Sequence, residues 1–323
     1  MSEKKKGIFR SPFGRRSATR PASAPSTPRS APASTLELDR SMLDAKLDDN
    51  WAACIDFGTA LSKIVMVRRH EPGATTTEYV RPLQIGPVSM PGFSPLMCPS
   101  ALYIVQERIH FGERAFIVHA NHGADHRRCF ESPKHYISAL NQQLLETPAS
   151  EAEDPTQLFT RKHLLLLLLG FIVFRFDRAL RSGNNLKGRL PRLRIARPAW
   201  KREFEQAGEA LLLDLLGRAF VLARTIGARY ETNEGLSVKL AMPALKLVDR
   251  VNEPSVELQK KLVHTAAPGD CISTGLRTGS NGRRRGRNPT GAGKKTCFRD
   301  RRHRRRNVRF RRIYHRAWQR PAG

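Results

Sequence analysis

The hydrophobic pattern changes character along the chain. From Trp51 onward short apolar runs come first: Ala52–Asp56, Lys63–Val67, Tyr79–Ile85 and Ala101–Val105. Pro87, Pro91-Gly92, Pro95 and Pro99 punctuate them, as turn residues do between strands. Glu107-Arg108 predicts a turn that brings Ile109-His110-Phe111 back as a hairpin ending at Gly112. Further on the period lengthens. One helix is predicted over Arg161 to Leu180, and a second from near Pro198 to about Ile226. In the second, Phe204, Ala207, Leu211, Leu212, Leu215, Ala219, Leu222 and Ala223 recur at three- and four-residue steps and make one apolar face. Between the helices, Leu193-Arg194-Ile195-Ala196 predicts a short strand. Strands first, then helices with a further strand, predict an α/β or α+β layered domain. The longest apolar run, Leu164 to Phe174, is eleven residues, too short to span a bilayer as a helix. It predicts a buried core helix.

The densest candidate chemistry is Ile55-Asp56-Phe57-Gly58-Thr59-Ala60-Leu61-Ser62-Lys63. It predicts a strand, a Gly-Thr turn and a second strand. Gly58 lets the backbone turn tightly and approach a ligand. Successive turn N–H groups, with the Thr59 and Ser62 hydroxyls, can form a concave anion site, and Lys63 adds a compact positive charge. The pattern is not a Walker loop, since no G-x-x-x-x-G-K-[ST] precedes a helix. On these residues alone, a phosphate grip and a plain tight turn both remain open.

The net charge is +28, a value that points to nucleic acid when spread over a fold. Here it is not spread. Residues 275–323 carry 18 Lys+Arg against one acid, Asp300, so most of the charge is a C-terminal attachment. Residues 1–50 are Ser-, Pro-, Ala- and Arg-rich and predict a solvated, disordered tail without an apolar signal region. Cys54, Cys98, Cys129, Cys271 and Cys297 are odd in number and form no C-x-x-C, which points to a reducing, cytoplasmic compartment. His119, His122, Asp125, His126 and Cys129 crowd into eleven residues, but their spacing matches no closed zinc motif, and Gly123-Ala124 predicts a surface loop. Lys134, after Ser132-Pro133, matters only if the fold returns it to the Asp56–Lys63 hairpin.

The order of these motifs resembles the seventy-kilodalton heat-shock chaperones and the wider actin-like ATPases. Ala53-Cys54-Ile55-Asp56-Phe57-Gly58-Thr59 looks like their first phosphate-binding motif. Pro99-Ser100-Ala101-Leu102-Tyr103 is similar to the "PS-V-F" strand, and Phe111-Gly112-Glu113-Arg114-Ala115 to the "-GE-A" segment. Phe130-Glu131-Ser132-Pro133-Lys134 is similar to "FDAKR", and Arg197-Pro198-Ala199-Trp200 with Ala207-Gly208 to "VPAYF…AG". The resemblance covers roughly Trp51 to Val251. It implies an incomplete ribonuclease-H-like actin/chaperone ATPase lobe over residues 51–262, with ATP or ADP and Mg²⁺ in a cleft. Asp56 would sit near the hydrated metal. Gly58, Thr59, Ala60, Ser62 and Lys63 would hold phosphate, and Lys134 would face the γ-phosphate and assist its transfer. Catalysis of this kind is mostly positioning and charge stabilisation. Protein clients or co-chaperones would be the partners, and no membrane.

The family also needs a second hairpin, "DIGGGT-D", and an adenosine site, and neither stands in this sequence. Asn252-Glu253-Pro254 echoes the family's "NEP", without the small-residue helix expected after it. Residues 263–323 predict a disordered Arg-rich tail with a specific origin. Shifted by one nucleotide, the codons of Arg302 to Phe310 permit D-I-G-G-G-T-S-D-F, and those of Cys297 to Arg301 permit V-F-V-I-A before it. Gly275 to Gly286 permit G-F-V-L-E-A-T-A-V-A-A-G. The expectation is an ATPase lobe truncated by a frame change between about Val263 and Gly275, inactive without its second motif. Two other readings stand beside it: non-specific binding of nucleic acid through the Arg-rich tail, and a non-catalytic scaffold that keeps the fold.

Overall fold

The computed structural model describes residues 36–68, 80–87, 90–122, 128–183, 186 and 188–266. The expectations for residues 1–35 and 267–323, and for Asp125 and His126, lie outside the described residues. In chain order the strands are β1 (Leu47–Asp56), β2 (Leu61–Arg68), β3 (Val80–Pro82), β4 (Met97–Pro99), β5 (Ala101–Val105), β6 (Arg108–Phe111), β7 (Phe130–Glu131), β8 (Leu190–Ala196), β9 (Leu236–Ser237) and β10 (Leu262–Ala266). The helices are α1 (Ser41–Asp44), α2 (Gly112–Asn121), α3 (Pro133–Ala139), α4 (Gln142–Glu146), α5 (Arg161–Gly183), α6 (Glu205–Ile226), α7 (Val238–Asp249) and α8 (Pro254–Gln259). The chain is thus mixed α/β.

The larger sheet runs β10-β8-β1-β2-β3, with β4 also on β2. Its first half is antiparallel: β1 and β2 form the predicted hairpin, with Asp56 opposite Lys63. Along β2 the pleat buries Ser62, Ile64 and Met66 and leaves Lys63 and Val65 half-exposed. β3 lies on the far part of β2 and β4 on the near part, where Leu61 faces Pro99 and Ser62 faces Cys98. The second half is parallel: β8 joins β1, and β10 joins β8. Parallel neighbours need long crossovers, and helices supply them: α5 before β8, and α6, α7 and α8 between β8 and β10.

The smaller sheet runs β7-β5-β6-β9. β5 and β6 turn through Gln106 and Glu107, both left-handed at φ 49° and 57°, as a two-residue hairpin requires. The sequence placed this turn one residue later.

The core forms where α5 and α6 pack on each other and on the larger sheet. Leu164 through Leu169 are fully buried, as are Phe171, Ile172 and Phe176. A helix apolar on all sides is a core helix. Among the described residues no helix is long and apolar enough to cross a membrane. The second predicted helix starts later than Pro198, at Glu205 after a 3-10 turn, and ends at Gly227, which takes a positive φ.

Two boundaries are corrected. Residues 36–50, read as tail, belong to the body: Met42 and Leu43 of α1 are buried in the core, and β1 begins at Leu47. The polar run Asp48-Asp49-Asn50 hid that strand from a periodicity reading. Residues 263–266, read as the start of the C-terminal tail, belong to β10, whose parallel pairing with β8 needs no local apolar signal. A helix, α8, does follow Asn252-Glu253, and Glu253 is left-handed at φ 47°.

Candidate phosphate-binding site

The larger sheet ends its hairpin in an open turn, residues 57–60. Gly58 is required there by space: a Cβ would lie 1.9 Å from the Leu61 carbonyl oxygen, a backbone atom that cannot swing away. Thr59 and Ala60 are exposed at the tip. Among the described residues, the N–H groups of Gly58, Thr59 and Ala60 have no hydrogen-bond partner, while the Ala60 carbonyl accepts from Ser100 N–H at 2.9 Å. The turn is therefore pinned from behind by its carbonyl and leaves its donors outward.

Ser62 does not join those donors. It is fully buried, and its hydroxyl shares a 2.8 Å hydrogen bond with the Ser100 hydroxyl. β2 alternation sends residue 62 inward and residue 63 outward. Ser62 and Ser100 thus brace the turn against the β4–β5 segment.

The structure brings Lys134 back. β7 pairs with β5, placing Phe130 opposite Leu102. Ser132 is left-handed at φ 64°, and Pro133, preset for a first helical turn, opens α3. Phe130 is buried and stacks on Tyr136 with ring centroids 5.0 Å apart, which fixes α3 over the sheet. Lys134 then reaches the end of β1: its Nζ donates to Asp56 Oδ1 at 3.3 Å. Lys63 Nζ stands 3.6 Å from the other carboxylate oxygen, Oδ2. One carboxylate bridges two ammonium groups, so the cluster carries a local excess of positive charge beside free backbone donors.

The cluster is half-open to solvent, with Asp56, Lys63 and Lys134 side chains 31%, 42% and 20% exposed. It can take an anion on the Lys63–Lys134 side and the turn N–H groups, and it offers Asp56 to a hydrated cation. Free N–H groups, two lysines and one carboxylate suit a phosphate–magnesium pair in donor type and charge. The sequence missed Ser100 as the partner of Ser62, since a hydroxyl pair 38 residues apart has no local pattern.

Among the described residues no cluster of three or more His, Cys, Asp or Glu could hold a metal ion. His119 and His122 lie at the end of α2, and the His119 ring meets Tyr103 edge-on at 5.0 Å. No protein-family model matches the chain, and no curated protein matches it.

Proposed function

We propose that the chain is the first lobe of an actin-like ATPase of the heat-shock chaperone superfamily, and that the Asp56–Lys63 hairpin is one half of its clamp for Mg-ATP. The observation that carries this reading is the contact between Lys134 and Asp56 across 78 residues. The resemblance to the family names these two positions as γ-phosphate lysine and metal-side acid, and they meet at one point. The arrangement of the larger sheet supports the same reading: an antiparallel hairpin first, then two strands returning parallel to it through helices.

In this reading the N–H groups of Gly58, Thr59 and Ala60 hold the β- and γ-phosphates, a nest of donors for which the turn is shaped. Lys63 and Lys134 neutralise phosphate charge, and Lys134 turns from Asp56 toward the γ-phosphate. Asp56 orients the waters of the metal; Mg²⁺, when bound, neutralises charge between the phosphates. Ser62 acts from behind, through Ser100, by holding the turn in register. The other half of the clamp belongs to the glycine-rich motif permitted by the shifted frame of Arg302 to Phe310. The chain with this sequence holds Mg-ATP weakly and does not turn it over.

The test compares this chain with one whose frame is restored by a one-base shift between codons 263 and 275. Magnesium-dependent ATP hydrolysis is expected only from the restored chain. Turnover by the present chain contradicts the truncation. A transcript in which no one-base shift opens the glycine-rich motif rules out the frame change.

A further inference from the structure

A cavity of about 350 Å³ lies where α2, α5 and residues 230–235 meet, and no residue of the Asp56–Lys63 hairpin or of α3 lines it. Its size falls within the range of small-molecule sites, about 300–1,000 Å³. One wall is aromatic: Phe111 stacks on Phe171 at 5.2 Å and meets Tyr230 edge-on at 5.1 Å. The other wall is charged but balanced. Arg175 donates to Glu113 Oε1 at 2.7 Å and also pairs with Glu231, which Arg178 shares. Arg114 is held by the Asn233 carbonyl.

Two polar atoms are left over. Glu113 Oε2 and His110 Nδ1 have no hydrogen-bond partner among the described residues, and each residue is only 6% exposed. Both residues line the cavity. Buried polar atoms are nearly always paired, so an open pair at a cavity wall marks capacity for something bound there.

Charge selects the class. An anion would meet the free oxygen of Glu113, and a cation would meet three guanidinium groups. A neutral ligand rich in hydroxyl groups meets neither objection. One O–H donates to Glu113 Oε2, another exchanges a hydrogen bond with His110 Nδ1, and a C–H face lies on the aromatic wall. His110 stays a neutral imidazole at neutral pH, because burial first, then the neighbouring charges of Arg114, His122 and Arg108, push its pKa down to about 4. A neutral ring nitrogen donates or accepts according to tautomer. We infer that this cavity is a binding site for a compact neutral polyol of monosaccharide size, gripped by Glu113 and His110 against the Phe111–Phe171–Tyr230 wall.

Saturation-transfer NMR and titration calorimetry on the full chain test it, with glucose, myo-inositol and glycerol as probes and with glutamate and inorganic phosphate as charged controls. Saturable binding of at least one polyol is expected. Met90→Trp fills the cavity from its rim without touching the buried ion pairs, and His110→Phe removes the free nitrogen; each weakens binding by about tenfold or more. Asp56→Asn leaves it unchanged, which separates this site from the nucleotide reading. Absence of binding by all three polyols overturns the inference. So does tighter binding of glutamate or phosphate, or polyol binding that survives Met90→Trp intact.

Discussion

Lys134 Nζ stands 3.3 Å from Asp56 Oδ1, although the two residues are 78 positions apart and sit in different elements, α3 and the end of β1. The pair is partly exposed, so it is a weak strut and an available charge. A double-mutant cycle with Asp56→Asn and Lys134→Met should return a coupling of about 0.2–1 kcal/mol in denaturant unfolding. Asp56→Asn also leaves Lys63 and Lys134 without their shared counter-ion. Binding of inorganic pyrophosphate without magnesium should then tighten, and its magnesium dependence should fall. Unchanged pyrophosphate affinity in both single variants separates the hairpin from phosphate binding.

Gly58→Ala tests the turn itself. The added methyl would meet the Leu61 carbonyl at 1.9 Å, and backbone displacement of this kind costs about 1–3 kcal/mol. Calorimetric melting should show the loss. Thr59→Ala, exposed at the tip, should melt like the parent chain.

Tyr230 carries the opposite expectation. Its ring is buried in the core and its hydroxyl has no partner among the described residues, lying where a Cβ on Gly170 would come within 2.4 Å of it. Removing a buried, unpaired hydroxyl without changing shape is neutral to stabilising, by about 1 kcal/mol. Tyr230→Phe should therefore raise the melting temperature. Gly170→Ala should lower it, and the double variant should recover part of that loss.

Thiol chemistry follows burial. Burial pushes the Cys98 thiol up to about 12, and does the same for Cys129, with Glu131 adding to it. A thiol so far from ionisation reacts slowly with alkylating agents, because the thiolate is the nucleophile. In native protein at neutral pH, mass mapping after iodoacetamide should find Cys98 and Cys129 unlabelled. Labelling should appear on unfolding in guanidinium.

Acid should weaken the fold through His110. Its pKa falls from 6.5 to about 4 in the folded chain, so between those values the unfolded chain binds the extra proton. Stability is full above the unfolded value and declines as pH falls toward the folded one, by about 1.4 kcal/mol per pH unit at most. Urea midpoints measured across this window should drop for the parent chain and drop less for His110→Phe. Equal slopes would rule out His110 as the titrating group.

Local pattern carried much of the architecture. The alternation around Asp56 to Val67 announced the hairpin, and the run Leu164 to Phe174 announced α5, because period and burial are properties of neighbouring residues. Shorter elements left no such mark. α7 holds Pro243 inside it, β9 has two residues, and β1 starts in the polar stretch Leu47–Asn50. Each is set by what it packs against, and tertiary context overrides propensity over so few residues.

The candidate site divides in the same way. Its turn is written locally: an acid ending a strand, Gly58 where only hydrogen fits, Thr59 and Ala60 at the tip, and Lys63 opposite Asp56. These follow from chain geometry over nine residues. Three further contacts arise only when the chain has folded: Lys134 joins Asp56, Ser62 turns inward to Ser100, and Arg175 gathers Glu113 and Glu231 around a polar cavity. Those contacts depend on which strands become neighbours and which helix crosses them. Burial makes that choice for the whole core at once, and no local spacing encodes it.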